Sequence, residues 1–324
     1  MISIHSSAPA KAILFGEHAV VYGHQALVVA VNRRIQMRAT IQNSNSAKQI
    51  STKVRELLES QGTRSPNELL HLLSKIPELK VWVGSDIPRG SGLGSSAAFS
   101  VALAGLILCL KDLSGFADPS SQPPASQDIN DLAYRFEQFF HGTPSGVDNT
   151  ASVMGGAIRY QRVNGEPVIE RLPAKHLPQM IGIMTGRPKE STAEMVRVAR
   201  EHLQEDPSLE QEILRLGELS SIAIVKLEQQ ALTTTELLPL FKQAHRGLTA
   251  LGVVSPSTQS LVSKIEQMGG AAKISGAGGS AGHSGLLLAV HEDLSILKDF
   301  LKKKRLKTVE IELSKKGVVL REKA

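Results

Sequence analysis

Gly90, Gly92 and Gly94, followed at once by Ser95 and Ser96, form the stretch of this sequence whose residue types and spacing most directly suggest chemistry. The run Pro88-Arg89-Gly90-Ser91-Gly92-Leu93-Gly94-Ser95-Ser96-Ala97-Ala98 lies between a strand-like segment, Leu79 to Val83, and an apolar helix that opens at Ala97. Backbone without Cβ atoms adopts positive φ and lets a ligand approach closely. The two serines stand where a helix begins, beside unpaired N–H groups and the positive end of its dipole, an arrangement that favours phosphate. The same residues also suit a plain capped turn between strand and helix. No Gly-Lys-Ser/Thr follows, so the loop is not a Walker A motif, and Ser95 occupies the third glycine position of the dinucleotide pattern.

A second candidate group lies downstream. Asp128 to Phe140 reads as an amphipathic helix with Ile129, Leu132, Ala133, Phe136 and Phe140 on its apolar side, and Glu137 shares that side. A carboxylate pointing inward needs a partner, and an arginine or lysine is the simplest one. The turn-rich stretch His141-Gly142-Thr143-Pro144-Ser145-Gly146-Val147-Asp148-Asn149 follows. No packing argument requires it, and Asp148 could cap the short segment after it.

The elements that must position these residues fall into two groups. In the first half, period-two and apolar runs predict strands at Ala12–Phe15, Ala26–Val31 and Ile35–Ile41. Helices are predicted at Val54–Gln61 and Pro66–Leu73, and Lys111–Gln127, rich in Ser, Pro and Asp, reads as a surface connection. The second half predicts a strand at Met180–Thr185, helices over 192–204, 208–230, 235–250 and 256–268, and strands at Ala271–Ser275 and Leu286–Val290. A helix near 292–304 and a strand at Thr308–Leu313 complete a ferredoxin-like order with additional helices. The final Gly317-Val318-Val319-Leu320 reads as a further strand that can return to the first group. With 324 residues the chain exceeds the size of a single core, and two domains are expected, at 1–175 and 176–324.

Composition narrows the function. Aromatic residues make up 4% of the chain, too few for a surface that stacks bases. The single cysteine, Cys109, allows no disulfide within the chain and sits in an apolar helix, which suits a reducing compartment and a cytoplasmic protein. Met1 to Pro9 has neither the charged nor the apolar region of a signal peptide. The apolar run Val101–Leu110 is far short of the ~20 residues of a membrane span. The net charge is 37 − 31 = +6, concentrated in part at Lys302, Lys303, Lys304, Arg305 and Lys307. That cluster reads as a solvated helix end rather than a nucleic-acid surface, although the field would attract a polyanionic substrate.

Three glycine-bearing stretches stand far apart in the sequence: Ala8 to His18, the loop at 88–98, and Lys273-Ile274-Ser275-Gly276-Ala277-Gly278-Gly279-Ser280-Ala281-Gly282. Together they resemble the GHMP small-molecule kinase superfamily. Gly16-Glu17-His18-Ala19-Val20-Val21-Tyr22-Gly23, with His141 to Asp148 and Leu251-Gly252-Val253, is similar to its mevalonate kinase family. The resemblance implies an α+β fold, with an N-terminal domain like the second domain of ribosomal protein S5 and a ferredoxin-like C-terminal domain. It implies an ATP-dependent kinase for the primary hydroxyl of mevalonate, a soluble homodimer that binds neither nucleic acid nor membrane. Pro88, Gly90, Ser91, Gly92, Leu93, Gly94, Ser95 and Ser96, with Gly276, Ala277 and Gly278, would hold the nucleotide. Ser96 and Glu137 would hold Mg²⁺, Asp148 would be the catalytic base, and Lys11 its partner. Glu17, His18 and Thr192, with Lys11 and Asp148, would lie at the substrate.

The chain departs from the family pattern at two places. Ala10 replaces a glycine in the first motif, and Gly-Ala-Gly-Gly-Ser-Ala-Gly replaces Gly-Ala-Gly-x-Gly-Gly in the third. Ser280 and Ala281 therefore bring side chains to a loop expected to approach ligand closely. Two other readings use the same residues: a sibling kinase for another small hydroxy acid or a phosphorylated acceptor, and a catalytically silent nucleotide-binding protein on the same scaffold. Asp148 disfavours relatives that lack a catalytic carboxylate, and extra basic residues near Glu17 and His18 would favour a phosphorylated acceptor. A coupled ADP-release assay over a panel of hydroxy acids separates all three readings.

Overall fold

The computed structural model describes residues 1–59, 64–88, 90–113, 124–142, 144–174 and 176–323. Arg89, Thr143, the predicted helix end at Gln61 and most of the Lys111–Gln127 connection lie outside these. The long strands β1 (Ile2–Phe15) and β2 (Ala26–Ile41) form the centre of a six-stranded sheet. Around them pair β3 (Leu79–Ser85), β4 (Ala157–Val163), β5 (Glu166–Leu172) and β10 (Val319–Lys323), in the path β10-β1-β2-β4-β5 with β3 also on β2. The two strands predicted at 26–31 and 35–41 are one strand whose halves have different neighbours. Ala26–Val29 pairs with β4 and Ile35–Ile41 with β3. The register of β1 on β2 shifts between Pro9 and Ala10.

Helix α3 (Ser95–Lys111) is apolar on nearly all sides and lies buried against β1 and β2. A helix of that composition has no face for water and must be central. Around it pack α1 (Ala47–Glu59), α2 (Pro66–Ser74), α4 (Ser126–His141) and α5 (Val147–Met154). The hairpin β4–β5 was not predicted. Its turn is Asn164-Gly165, with both residues at positive φ, the chemistry of a tight two-residue hairpin.

The second sheet is antiparallel in the order β7-β8-β6-β9, formed by β6 (Met180–Met184), β7 (Ala271–Ser275), β8 (Leu286–Val290) and β9 (Lys307–Ile311). Helices α6 (Thr192–Glu205), α7 (Glu210–Glu228), α8 (Thr234–Ala250) and α9 (Pro256–Gln267) separate β6 from β7, and α10 (Leu294–Lys303) separates β8 from β9. This is the ferredoxin-like strand order with extra helices.

The two sheets meet at β1 and β7. Ser275 Oγ accepts from Ile13 N at 3.0 Å and donates to Ile13 O at 2.9 Å. After β9 the chain runs back beside β2, with Ser314 N donating to Ala30 O at 2.8 Å, and enters the first sheet as β10 on β1. Arg34 holds that return segment. Its guanidinium donates to Ser314 Oγ (3.1 Å), Lys316 O (3.1 Å), Gly317 O (2.6 Å) and Ser7 O (2.9 Å).

The crossing is tight at Gly317, where an added Cβ would lie 1.9 Å from Val153 O. Gly317→Ala is therefore expected to lower the unfolding free energy by about 2–3 kcal/mol, the usual cost of overpacking a closed contact. A urea melt with an unchanged midpoint would contradict this account of the return strand.

Candidate active site

Lys11 enters from β1, with its N–H donating to Leu93 O at 3.0 Å. Its side chain runs past Gly94, where a Cβ would lie 2.8 Å from Lys11 Cγ and Cε. Gly94 is thus required twice, for this passage and for its positive φ as the residue that caps α3. Gly90 and Gly92 also have positive φ, and a Cβ on Gly92 would meet Leu286 Cβ at 2.9 Å. No side chain caps α3, so the N–H groups of its first turn face the loop without a side-chain partner. Ser91 and Leu93 are buried beneath the loop, and Gly90 is exposed.

Lys11 Nζ meets Asp148 Oδ1 at 2.9 Å, with the lysine 5% exposed. Asp148 is not the cap of its helix. Gly146 is, at φ 82, and Asp148 lies within the first turn of α5. The loop before it is held through its carbonyls, with Arg162 also donating to Ser145 O at 3.2 Å. Tyr134 donates to Pro144 O at 3.3 Å, and Tyr160 donates to Ser145 O at 2.7 Å. Asn149 Nδ2 ties α5 to α4 through Asn130 Oδ1 at 2.8 Å.

Glu137, 1% exposed, has no arginine or lysine partner among the described residues. Its Oε1 accepts instead from Ser100 Oγ at 2.8 Å and its Oε2 from Ser96 Oγ at 3.3 Å, and His141 Nε2 lies 3.6 Å from the same Oε2. Burial pushes its carboxyl up to about 7, with the Asp148 charge adding to the shift. A hard-oxygen pair of a hydroxyl and a carboxylate whose ionised form is only partly compensated fits a divalent cation such as Mg²⁺. His141, 3.1 Å from Ser96 Oγ, completes this cluster. Sequence reading placed it only in the turn.

Glu17 and His18 belong to a different layer from Lys11 and Asp148. Glu17 is buried and forms an ion pair with Lys273, which also donates to Ile274 O at 2.8 Å and lies 5.5 Å from the ring centres of Phe15 and Phe241. Burial pushes the Glu17 carboxyl up and the Lys273 ammonium down, and the charge of each partner opposes the shift of the other. Burial also lowers the pKa of His18, whose Nε2 donates to Ala277 O at 3.0 Å. Through Oε1 this pair ties the first motif to β7, while Glu17 Oε2 is buried without a hydrogen-bond partner among the described residues. Lys273 was not singled out from the sequence, although a lone lysine in the buried run Ala271–Ser275 demands a counter-charge.

In the third loop, Gly276 faces open space at φ 101, while a Cβ on Gly278 would meet Val253 O at 2.2 Å. Ser275 pairs with Leu286, the residue beneath Gly92, so the loops at 90–96 and 276–278 are neighbours. Ser280 and Ala281 have a partner of their own. Glu190 Oε1 accepts from Ser280 Oγ at 2.7 Å and from Ala281 N at 2.9 Å. Thr192 opens α6 after the Ser191 cap and is exposed, and no hydrogen bond among the described residues joins it to Lys11 or Asp148.

Comparison with known proteins identifies the family of the chain. Residues 56–156 match the family model described as the GHMP kinases N terminal domain. A mevalonate kinase of Pyrococcus abyssi is 34% identical over 303 residues, covering 85% of each chain. That of Bos taurus is 31% identical over 336 residues, covering 84% of this chain and 83% of its own. The crystal structure of L. major mevalonate kinase in complex with R-mevalonate superposes with a TM-score of 0.72 at 24% identity, over 95% of both chains.

Two stability measurements follow from the buried acids. Because the folded-state pKa of Glu137 is raised, its stabilising contribution is present below the unfolded value and is lost as pH rises towards 7. Without metal, Glu137→Gln is expected to become the more stable protein between pH 4.5 and 7, by at most about 3 kcal/mol. Added Mg²⁺ should close that gap, and parallel pH profiles without metal would refute it. Lys273→Met should cost about 3–5 kcal/mol by leaving Glu17 charged and unpaired, and adding Glu17→Gln should restore most of it. A double variant no more stable than Lys273→Met would mean that the pair is not the coupling.

Proposed function

The chain belongs to the mevalonate kinase family of GHMP kinases, and on that premise we propose that this ATP-dependent enzyme transfers the terminal phosphoryl group of ATP to the primary hydroxyl of mevalonate. The observation that carries the proposal is the contact of Lys11 Nζ with Asp148 Oδ1 at 2.9 Å, beside the uncapped start of α3. Such a contact suits an alcohol that must lose its proton while its oxygen gains a bond to phosphorus. Asp148 takes the hydroxyl proton, the oxygen bonds to the γ-phosphorus, and the bond from that phosphorus to the bridging oxygen breaks, releasing ADP. Lys11 faces the charge that develops on the attacking oxygen.

The backbone N–H groups of residues 90–96 receive the phosphates, supported by the neighbouring loop Gly276-Ala277-Gly278. Ser96 and Glu137 would hold Mg²⁺, which when bound neutralises charge on the phosphate oxygens. Glu17 and His18 serve this site by holding the first motif against β7 and Ala277, and Thr192 offers its hydroxyl to the acceptor at the start of α6. The reading includes a homodimer, supported by the exposed Leu214, Ile222 and Val225 on α7, and a cytoplasmic location. No described helix is long and apolar enough to cross a membrane.

Asp148→Asn keeps the size of the side chain but cannot accept the proton. It should lower kcat by about 10²–10⁴-fold in a coupled ADP-release assay with mevalonate, with ATP affinity preserved. Lys11→Met should be impaired similarly, and the double variant should be little worse than either single one. Asp148→Asn activity within threefold of the parent would remove Asp148 from the mechanism.

A further inference from the structure

One cross-strand row on the exposed side of the first sheet runs Arg321, His5, Arg38, Trp82, since each residue lies opposite the next in register. Together with the segment at 314–316, this row walls a cavity of about 500 Å³. Arg34, Arg38, Lys315, Lys316 and Arg321 line it, and among the described residues no aspartate or glutamate does. Among the described residues no ion pair engages Arg38, Lys315, Lys316 or Arg321. The guanidinium of Arg34 gives its hydrogen bonds to hydroxyls and main-chain carbonyls, and the Asp86 carboxylate partly offsets its charge, so Arg34 belongs to the wall and not to the free cations. Two acids nearby are already hydrogen-bonded: Asp86 accepts from the main-chain N–H of Arg34, and Glu312 from Asn32 Nδ2 at 3.3 Å.

Trp82 is held in place although 54% exposed. A Cβ on Gly84 would lie 2.2 Å from Trp82 Cη2, so the indole lies across that glycine, and the Arg38 guanidinium sits 5.8 Å from its ring centre. A fixed aromatic face beside unpaired cations, in a concave site, is a place to receive an anion.

We propose that this face binds a small anion carrying two or more phosphate groups, held by Arg38, Arg321, Lys315 and Lys316 beside the Trp82 ring. The site is separate from the catalytic one, because His5 and Lys11 are six residues apart on β1, roughly 20 Å of strand. The charged lining is confined to a volume typical of small-molecule sites, about 300–1,000 Å³. A nucleic-acid strand fits less well, because single-strand binders stack successive bases on several aromatic rings and this lining offers one.

Trp82 is the chain's single tryptophan, so intrinsic fluorescence reports on this cavity directly. Titration with sodium tripolyphosphate at constant ionic strength should give a saturable change. Replacing exposed Arg321 and Lys315 together by Gln, which leaves Arg38 and Trp82 in place, should weaken it at least tenfold, and Lys316→Gln should weaken it measurably alone. Lys11→Met should leave it within twofold. No saturable change, or an unaltered titration in both charge variants, overturns the proposal. Loss in Lys11→Met would assign the anion to the catalytic site instead. Tighter binding of oligothymidylate that grows with its length would replace the small anion with a nucleic-acid strand.

Discussion

A lysine at 5% exposure can stay charged only if a negative group takes the place of lost water, and the Lys11–Asp148 contact meets that requirement where two distant segments converge. The rest of the first domain is arranged so that this contact can form. Lys11 needs the long strand β1 to carry it inward and Gly94 to leave room for its stem. Asp148 needs α5 started by Gly146 and a preceding loop whose carbonyls are bound by Tyr134 and Tyr160. Removing any of these supports moves one of the two charges, and the attraction falls off steeply once water enters between them.

The molecule contains a second buried cation–carboxylate pair, Lys273–Glu17, and the contrast between the two is instructive. Lys273 is fully buried, with Phe15 and Phe241 on its flanks and a main-chain carbonyl as further acceptor. That pair is buried and joins the first motif to β7. In the Lys11–Asp148 pair the aspartate side chain is one-third exposed, so a substrate oxygen can reach it. The same chemistry therefore serves cohesion in one place and reactivity in the other, and access decides which.

Glu137 adds a third treatment of a buried charge. Hydroxyls of Ser96 and Ser100 supply its hydrogen bonds, and the nearby Lys11 charge only partly offsets burial and the repulsion of Asp148, so the ionised carboxylate is left short of compensation. This is the environment in which a metal ion gains affinity, because binding it relieves a desolvation penalty that the protein already carries. The altered third loop follows similar economy. Ser280 and Ala281, which have side chains where glycines were expected, are matched by Glu190, so the segment is held by hydrogen bonds in place of conformational freedom.

Local pattern was enough to read much of this from the sequence. The apolar runs at Ala271–Ser275 and Leu286–Val290 are the strands β7 and β8, and the ferredoxin-like order of the second half follows from element order alone. The glycine spacing at 90, 92 and 94 marked a loop of positive φ, and its three members adopt it. The hairpin at 157–172 was not read from the sequence: Asn164-Gly165 carries the signal of its turn, but the strands on either side lack a clean alternation. What pattern could not supply was partnership across long separations. That Glu17 faces Lys273, that Glu137 meets serines in place of an arginine, and that Glu190 holds Ser280 depend on contacts 256, 37 or 41, and 90 residues apart in the chain. Side-chain type states that a buried charge needs a partner, and only the packing of strands and helices in three dimensions brings a particular one within reach.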